Sequence, residues 1–91
     1  MSAEKITEAE IINRIADLYP DAVIDVAGQD CSFEVYIVSD NFADMSLLQR
    51  QKSILALFKN EIAKGVLHAL SVKAKTKKEQ SNTTGFVQIQ L

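Results

Sequence analysis

Residues 46–74 read SLLQRQKSILALFKNEIAKGVLHALSVKA, and this stretch decides the fold. Ser46-Leu47-Leu48-Gln49 has the spacing of a capping box: the residue 46 hydroxyl accepts from the residue 49 amide, and the Gln49 side chain returns to the residue 46 amide. A helix follows to about Lys64, with Ile54, Phe58 and Ile62 one turn apart as its core stripe and Gly65 placed as a left-handed C-terminal cap. Val66 to Ala74 then reads as a strand. No tight turn precedes it, so it joins the sheet by a crossover and lies parallel to a strand already formed.

Upstream, Thr7-Glu8-Ala9-Glu10 predicts a second capping box, with Ile6 and Ile11 at the staple positions and the Glu10 carboxylate reaching back to the Thr7 amide. Ile11, Ile12, Ile15, Leu18 and Tyr19 recur at helical spacing, and Pro20 ends that helix. Ala22 to Ala27 alternates, with Ala22, Ile24 and Val26 opposite Asp25. Gly28 to Cys31 supplies a turn. Ser32 to Ser39 is a second strand with Phe33, Val35 and Ile37 on its inner face. Asp40 to Met45 is a loop. The order is α-β-β-α-β, an α+β domain with a three-stranded mixed sheet packed against helices. After Ala74 the pattern dissolves: Lys75-Thr76-Lys77-Lys78-Glu79 is polar, Gln80 to Thr84 is loop-like, and Gly85 to Leu91 reads as a frayed terminus in preference to an edge strand.

Ninety-one residues fit one compact domain. Hydrophobic residues make up 47 % and charged residues 24 %, close to the globular average, so disorder is not expected. No apolar run approaches the roughly 18 residues of a membrane span, and Met1 to Lys5 carries neither a signal-peptide nor a transit-peptide pattern. A cytoplasmic protein is the expectation. Its charge of −2 is unevenly spread: ten acidic and two basic residues fall in 1–45, two acidic and eight basic in 46–91. Such asymmetry can orient a partner or create a basic face, and it equally fits two ordinary solvated faces.

Few residues can carry chemistry. The single cysteine, Cys31, excludes an internal disulfide and any metal site with two thiolates from this chain. Cys31 and His68 are the only strong nucleophile–base pair, and no third member orients them, so an enzyme is not expected. Cys31 lies beside the hairpin turn, either as an exposed ligand or as a small, partly buried hydrophobe. His68 is in step with Val66, Leu70 and Val72, so strict alternation turns it toward the apolar face, where a lone histidine is more often a satisfied structural residue than a ligand.

Three stretches together resemble the BolA family, including its YrbA-like branch: Cys31-Ser32-Phe33-Glu34-Val35 with Val38-Ser39; Phe42 followed by Leu47-Leu48-Gln49-Arg50-Gln51-Lys52; and Val66-Leu67-His68-Ala69-Leu70-Ser71-Val72. The resemblance covers about Thr7 to Glu79, giving a domain over residues 1–79 and a flexible tail over 80–91. It departs at Asp44, where many relatives have glycine, at Gln51, where part of the family has histidine, and at Lys77, where a Thr-Pro pair usually opens a last helix. It implies a type II KH-like fold and a non-catalytic role in iron–sulfur trafficking or iron regulation, with links to stress response and transcriptional control. His68 matches the family's cluster ligand and Cys31 its variable Cys-or-His ligand. The partner implied is a monothiol glutaredoxin, the two proteins and glutathione sharing a bridging [2Fe-2S] cluster. The alternative is nucleic-acid binding through Arg50, Lys52, Lys59, Lys64 and Lys73, with Lys75, Lys77 and Lys78 extending the basic face. The sequence has no GXXG loop of the kind KH domains use to clamp a nucleic-acid backbone.

Overall fold

The computed structural model describes residues 6–29 and 32–81. Helix α1 (Glu8–Leu18) starts where Thr7 Oγ1 accepts the Glu10 amide at 3.1 Å. Glu10 does not reach back to the cap. Its carboxylate takes the Arg14 guanidinium one turn on, at 2.6 Å, because an i,i+4 ion pair competes with the neutral amide for the same oxygen. Ile11 and Ile15 face inward with Ile6 and Tyr19, and Leu18 is left exposed. Arg14 also donates to Leu57 O and to both Glu61 oxygens, and lies 5.2 Å over the Phe58 ring, so it joins α1 to the second helical region.

Strands β1 (Val23–Gln29) and β2 (Ser32–Val38) pair antiparallel from Val23 with Val38 to Gln29 with Ser32. Gly28 and Gln29, expected in the turn, belong to the strand. Gly28 takes φ 123° opposite Phe33, and a Cβ there would strike the Ser32 carbonyl. The open end of the hairpin is pinned by the Asp21 carboxylate, which accepts from Ser39 Oγ (2.8 Å), the Asp40 amide (3.1 Å) and Asn41 Nδ2 (2.7 Å). These bonds, Ser39's first, hold the Asp21 carboxyl below its usual range.

The expected long helix is divided: α2 (Leu47–Leu55) with its full capping box at Ser46, a 3-10 turn at Ala56–Phe58, and α3 (Lys59–Ala63). Each 3-10 residue turns about 120° instead of 100°, so Ile62 lies about 140° from Ile54 around the axis, not about 80°. Ile54 and Phe58 are fully buried, and Ile62, expected beside them, is 40 % exposed.

Strand β3 (Ala69–Lys75) follows the crossover and pairs parallel with β2, from Ser32 with Ala69 to Val38 with Lys75, giving the order β1-β2-β3. It begins three residues later than the alternation suggested. The helices cover one face of the sheet, over Phe33, Val35, Ile37, Val72 and Ala74. The other face carries Ala27, Ser32, Glu34, Tyr36, Ala69, Ser71 and Lys73 and is open.

The chain after Ala74 also differs from expectation. Residues 77–81 are helical, opened by a second complete capping box: the Glu79 amide donates to Thr76 Oγ1 and the Thr76 amide to Glu79 Oε1. Lys77 opens that helix as well as the expected Thr-Pro would, since any residue without a clashing side chain suits the first helical position. The expectation for residues 85–91 lies outside the described residues. No helix among those described is long and apolar enough to cross a membrane.

Candidate functional site

His68 sits at the junction between the crossover and β3. Its predecessor Leu67 is fully buried, and the Leu67 amide donates to Glu61 O at 3.1 Å, so the backbone entering His68 is fixed on the inner side. His68 itself is exposed. It is not buried as Val72 is, because it precedes Ala69, where the strand and its alternation begin. Cys31 lies outside the described residues. Its successor in sequence, Ser32, is the register partner of Ala69, which follows His68, so β2 and β3 begin side by side and run in the same direction.

Around this end the open sheet face is built from small residues. Ala27, Gly28, Ser32, Ala69 and Ser71, with Phe33 and Glu34, line a depression of about 390 Å3. Gly28 lets the hairpin backbones close up here. Small side chains at alternate positions of all three strands then leave space in front of His68's strand. Glu34 accepts the Tyr36 hydroxyl at 3.0 Å, and that bond raises the Tyr36 pKa. The sequence signal for this floor was present, as Ala27, Ser32, Ala69 and Ser71 at outward positions near the strand ends, but polar alternation alone does not distinguish a floor from ordinary solvated surface.

Among the described residues, no three His, Cys, Asp or Glu side chains gather to hold a metal. His68 is an exposed imidazole one residue before Ala69, which belongs to the shallow open floor.

The eight cations of the alternative reading are not brought together. Arg50 is 3 % exposed and is a structural residue: Nε donates to Met45 O, Nη1 to Ala74 O at 3.1 Å, and both Nη atoms to the Glu79 carboxylate at 2.6 and 3.0 Å, with Phe42 5.7 Å beneath it. Burial removes it from any nucleic-acid face. With the Thr76 amide, this bond drives the Glu79 carboxyl from an ordinary 4.5 down to about 2. Lys52, Lys59 and Lys64 are exposed on the outer side of α2 and α3, whereas Lys73 lies on the open sheet face, beside Tyr36 in the register. Lys77 and Lys78 are exposed on the last helical residues.

Residues 5–79 match the family model described as BolA-like protein. An uncharacterized protein in the rpoN-murA intergenic region of Acinetobacter guillouiae is 31 % identical over 86 residues, covering 94 % of this chain and 98 % of that one. Among solved structures, BolA1 of Mus musculus superposes with a TM-score of 0.71 at 26 % identity, over 92 % of this chain and 77 % of the other. The BolA domain of SufE1 from Arabidopsis thaliana gives 0.68 at 29 %, over 81 % and 98 %.

Proposed function

Because the chain belongs to the BolA family, we propose that it is the protein half of a shared iron–sulfur site, pairing with a monothiol glutaredoxin and glutathione around a bridging [2Fe-2S] cluster. The observation that supports this is the exposed His68 directly before Ala69, whose parallel register partner Ser32 follows Cys31 in sequence. The donor set fits half a cluster. A [2Fe-2S] centre takes four ligands, and histidine in place of cysteine raises its potential. This chain offers one imidazole there and has one thiol in all, so two thiolates come from the glutaredoxin cysteine and glutathione. When bound, the cluster supplies a transferable iron–sulfur unit.

The chain's own residues do the positioning. Leu67, anchored in the core, fixes the approach of the His68 backbone, and the Ala27, Ser32, Ala69 and Ser71 floor admits a second body close to the strand ends. No catalytic step is assigned to the chain. The nucleic-acid alternative is the weaker reading, since Arg50 is internal and Lys73 lies on a different surface from Lys52, Lys59 and Lys64. The role belongs to iron–sulfur trafficking or iron regulation in the cytoplasm.

Anaerobic reconstitution of the chain with a monothiol glutaredoxin, iron, sulfide and glutathione tests the reading. A heterodimer carrying visible charge-transfer absorption is expected, with an altered spectrum in His68→Ala and Cys31→Ala. An unchanged cluster in the double variant refutes it.

A further inference from the structure

The outer side of α2 and α3 holds a surface that the cluster reading does not use. Counted around a helix axis, Leu48, Leu55 and Ile62 fall within about 40° of one another with or without the tighter turn between them, and that turn carries Ile62 further from Ile54. They are seven residues apart in sequence, the repeat of a helix-pairing seam. Leu48 is 60 % and Ile62 40 % exposed, and Leu55 is half-buried. Ala56 and Ala63 keep the floor low, so Leu55, Ile62 and the two alanines line a groove of about 430 Å3 flanked by Lys52 and Lys59. Neither lysine forms an ion pair among the described residues.

We propose that this groove docks an acidic amphipathic helix of a partner protein, apolar side down, with carboxylates against Lys52 and Lys59. Charge selects this occupant. A second copy pairing through the same face would bring both lysine pairs together across a two-fold axis, so like charges oppose that dimer. The chain's own segment 82–91 holds no acidic residue to meet them. A nucleic-acid backbone would satisfy two lysines and leave Leu48, Leu55 and Ile62 in water, where it has no apolar surface to offer. The seam with flanking lysines matches a helix whose apolar stripe repeats every heptad and whose flanks are glutamate, the groove-binding mode of amphipathic helices.

The test uses the full apo chain, so it stands apart from the cluster reading. Amide chemical shifts are followed on titration with a synthetic peptide of about three heptads bearing leucine at the seam and glutamate on the flanks, and with its lysine-flanked counterpart. The proposal expects shifts concentrated at Lys52, Leu55, Ala56, Lys59 and Ile62 with the acidic peptide, and at least tenfold weaker binding of the basic one. The double variant Lys52→Glu/Lys59→Glu, at exposed positions, should reverse that preference while keeping a dispersed spectrum. Equal binding of both peptides, or shifts centred on the open sheet face, overturns it. So does a concentration-dependent dimer abolished by Ile62→Glu, contacts from residues 85–91 to Ile62 in the free chain, or stronger perturbation of the same amides by a short DNA duplex.

Discussion

Arg50→Met separates a structural arginine from a surface one. Methionine keeps most of the stem over Phe42 and removes every donor, so it leaves Met45 O and Ala74 O without the guanidinium that now reaches both at 3.1 Å. A hydrogen bond to a charged group contributes about 1.5–3 kcal/mol, so losing two from a buried side chain costs about 3 kcal/mol. The Glu79 side chain is 45 % exposed and rehydrates, so no stranded-charge penalty adds to this. Urea unfolding followed by far-UV circular dichroism measures the loss. With a slope of about 1 kcal/mol per molar for a small domain, the midpoint falls by about 3 M. Lys52→Met, two residues away on the outer face, should stay within about 0.5 kcal/mol of the parent. A loss below about 1 kcal/mol in Arg50→Met, or equal effects of the two variants, refutes the buried role of Arg50.

Glycine substitutions should diverge: Gly28→Ala, where a Cβ lands 2.8 Å from Phe33 Cα, costs about 3 kcal/mol or more by thermal melting, while Gly65→Ala, at φ 81° in open space, costs about 1 kcal/mol. Acid weakens the fold in a stated window. Glu79, Glu61 and Asp21 all titrate below their ordinary values, held by Arg50, Arg14 and Ser39 in turn. Their contribution is complete above the ordinary carboxylate range and disappears as pH falls, for Glu79 between 4.5 and about 2. Stability measured from pH 6 to pH 2 should decline there, less steeply in Arg50→Met. His68→Ala, at an exposed position, should leave stability within about 0.5 kcal/mol, so any effect on complex formation reports ligation and not folding.

Much of the fold was readable because local signals agreed with the tertiary ones. The Ser46–Gln49 box, the Phe33/Val35/Ile37 alternation and Gly65 each mark one element, and the structure has all three. Ile62 was misplaced because a periodicity argument assumes 100° per residue, and the 3-10 turn breaks that assumption with no Gly or Pro to announce it. His68 was turned the wrong way because alternation was extended before Ala69, where the backbone is still crossing. Arg50 looked like surface charge, since its acceptors, Met45 O, Ala74 O and Glu79, are assembled only by the tertiary fold. Thr76-Lys77-Lys78-Glu79 did carry a capping-box pattern, hidden within a run of lysines. Of the candidate site, residue types singled out Cys31 and His68 and the resemblance gave them their expected role as ligands, while the side-by-side start of β2 and β3, the strands that follow them in sequence, needed the parallel register.

The most direct test of the central claim is nitrogen ligation at His68. The chain is labelled with 15N-histidine, of which it has one, assembled with unlabelled glutaredoxin, glutathione and the cluster, reduced by one electron, and studied by pulsed electron paramagnetic resonance. A strong directly bonded 15N hyperfine coupling that vanishes in His68→Ala is the predicted result. A cluster bridging the two proteins without such a coupling would contradict the account.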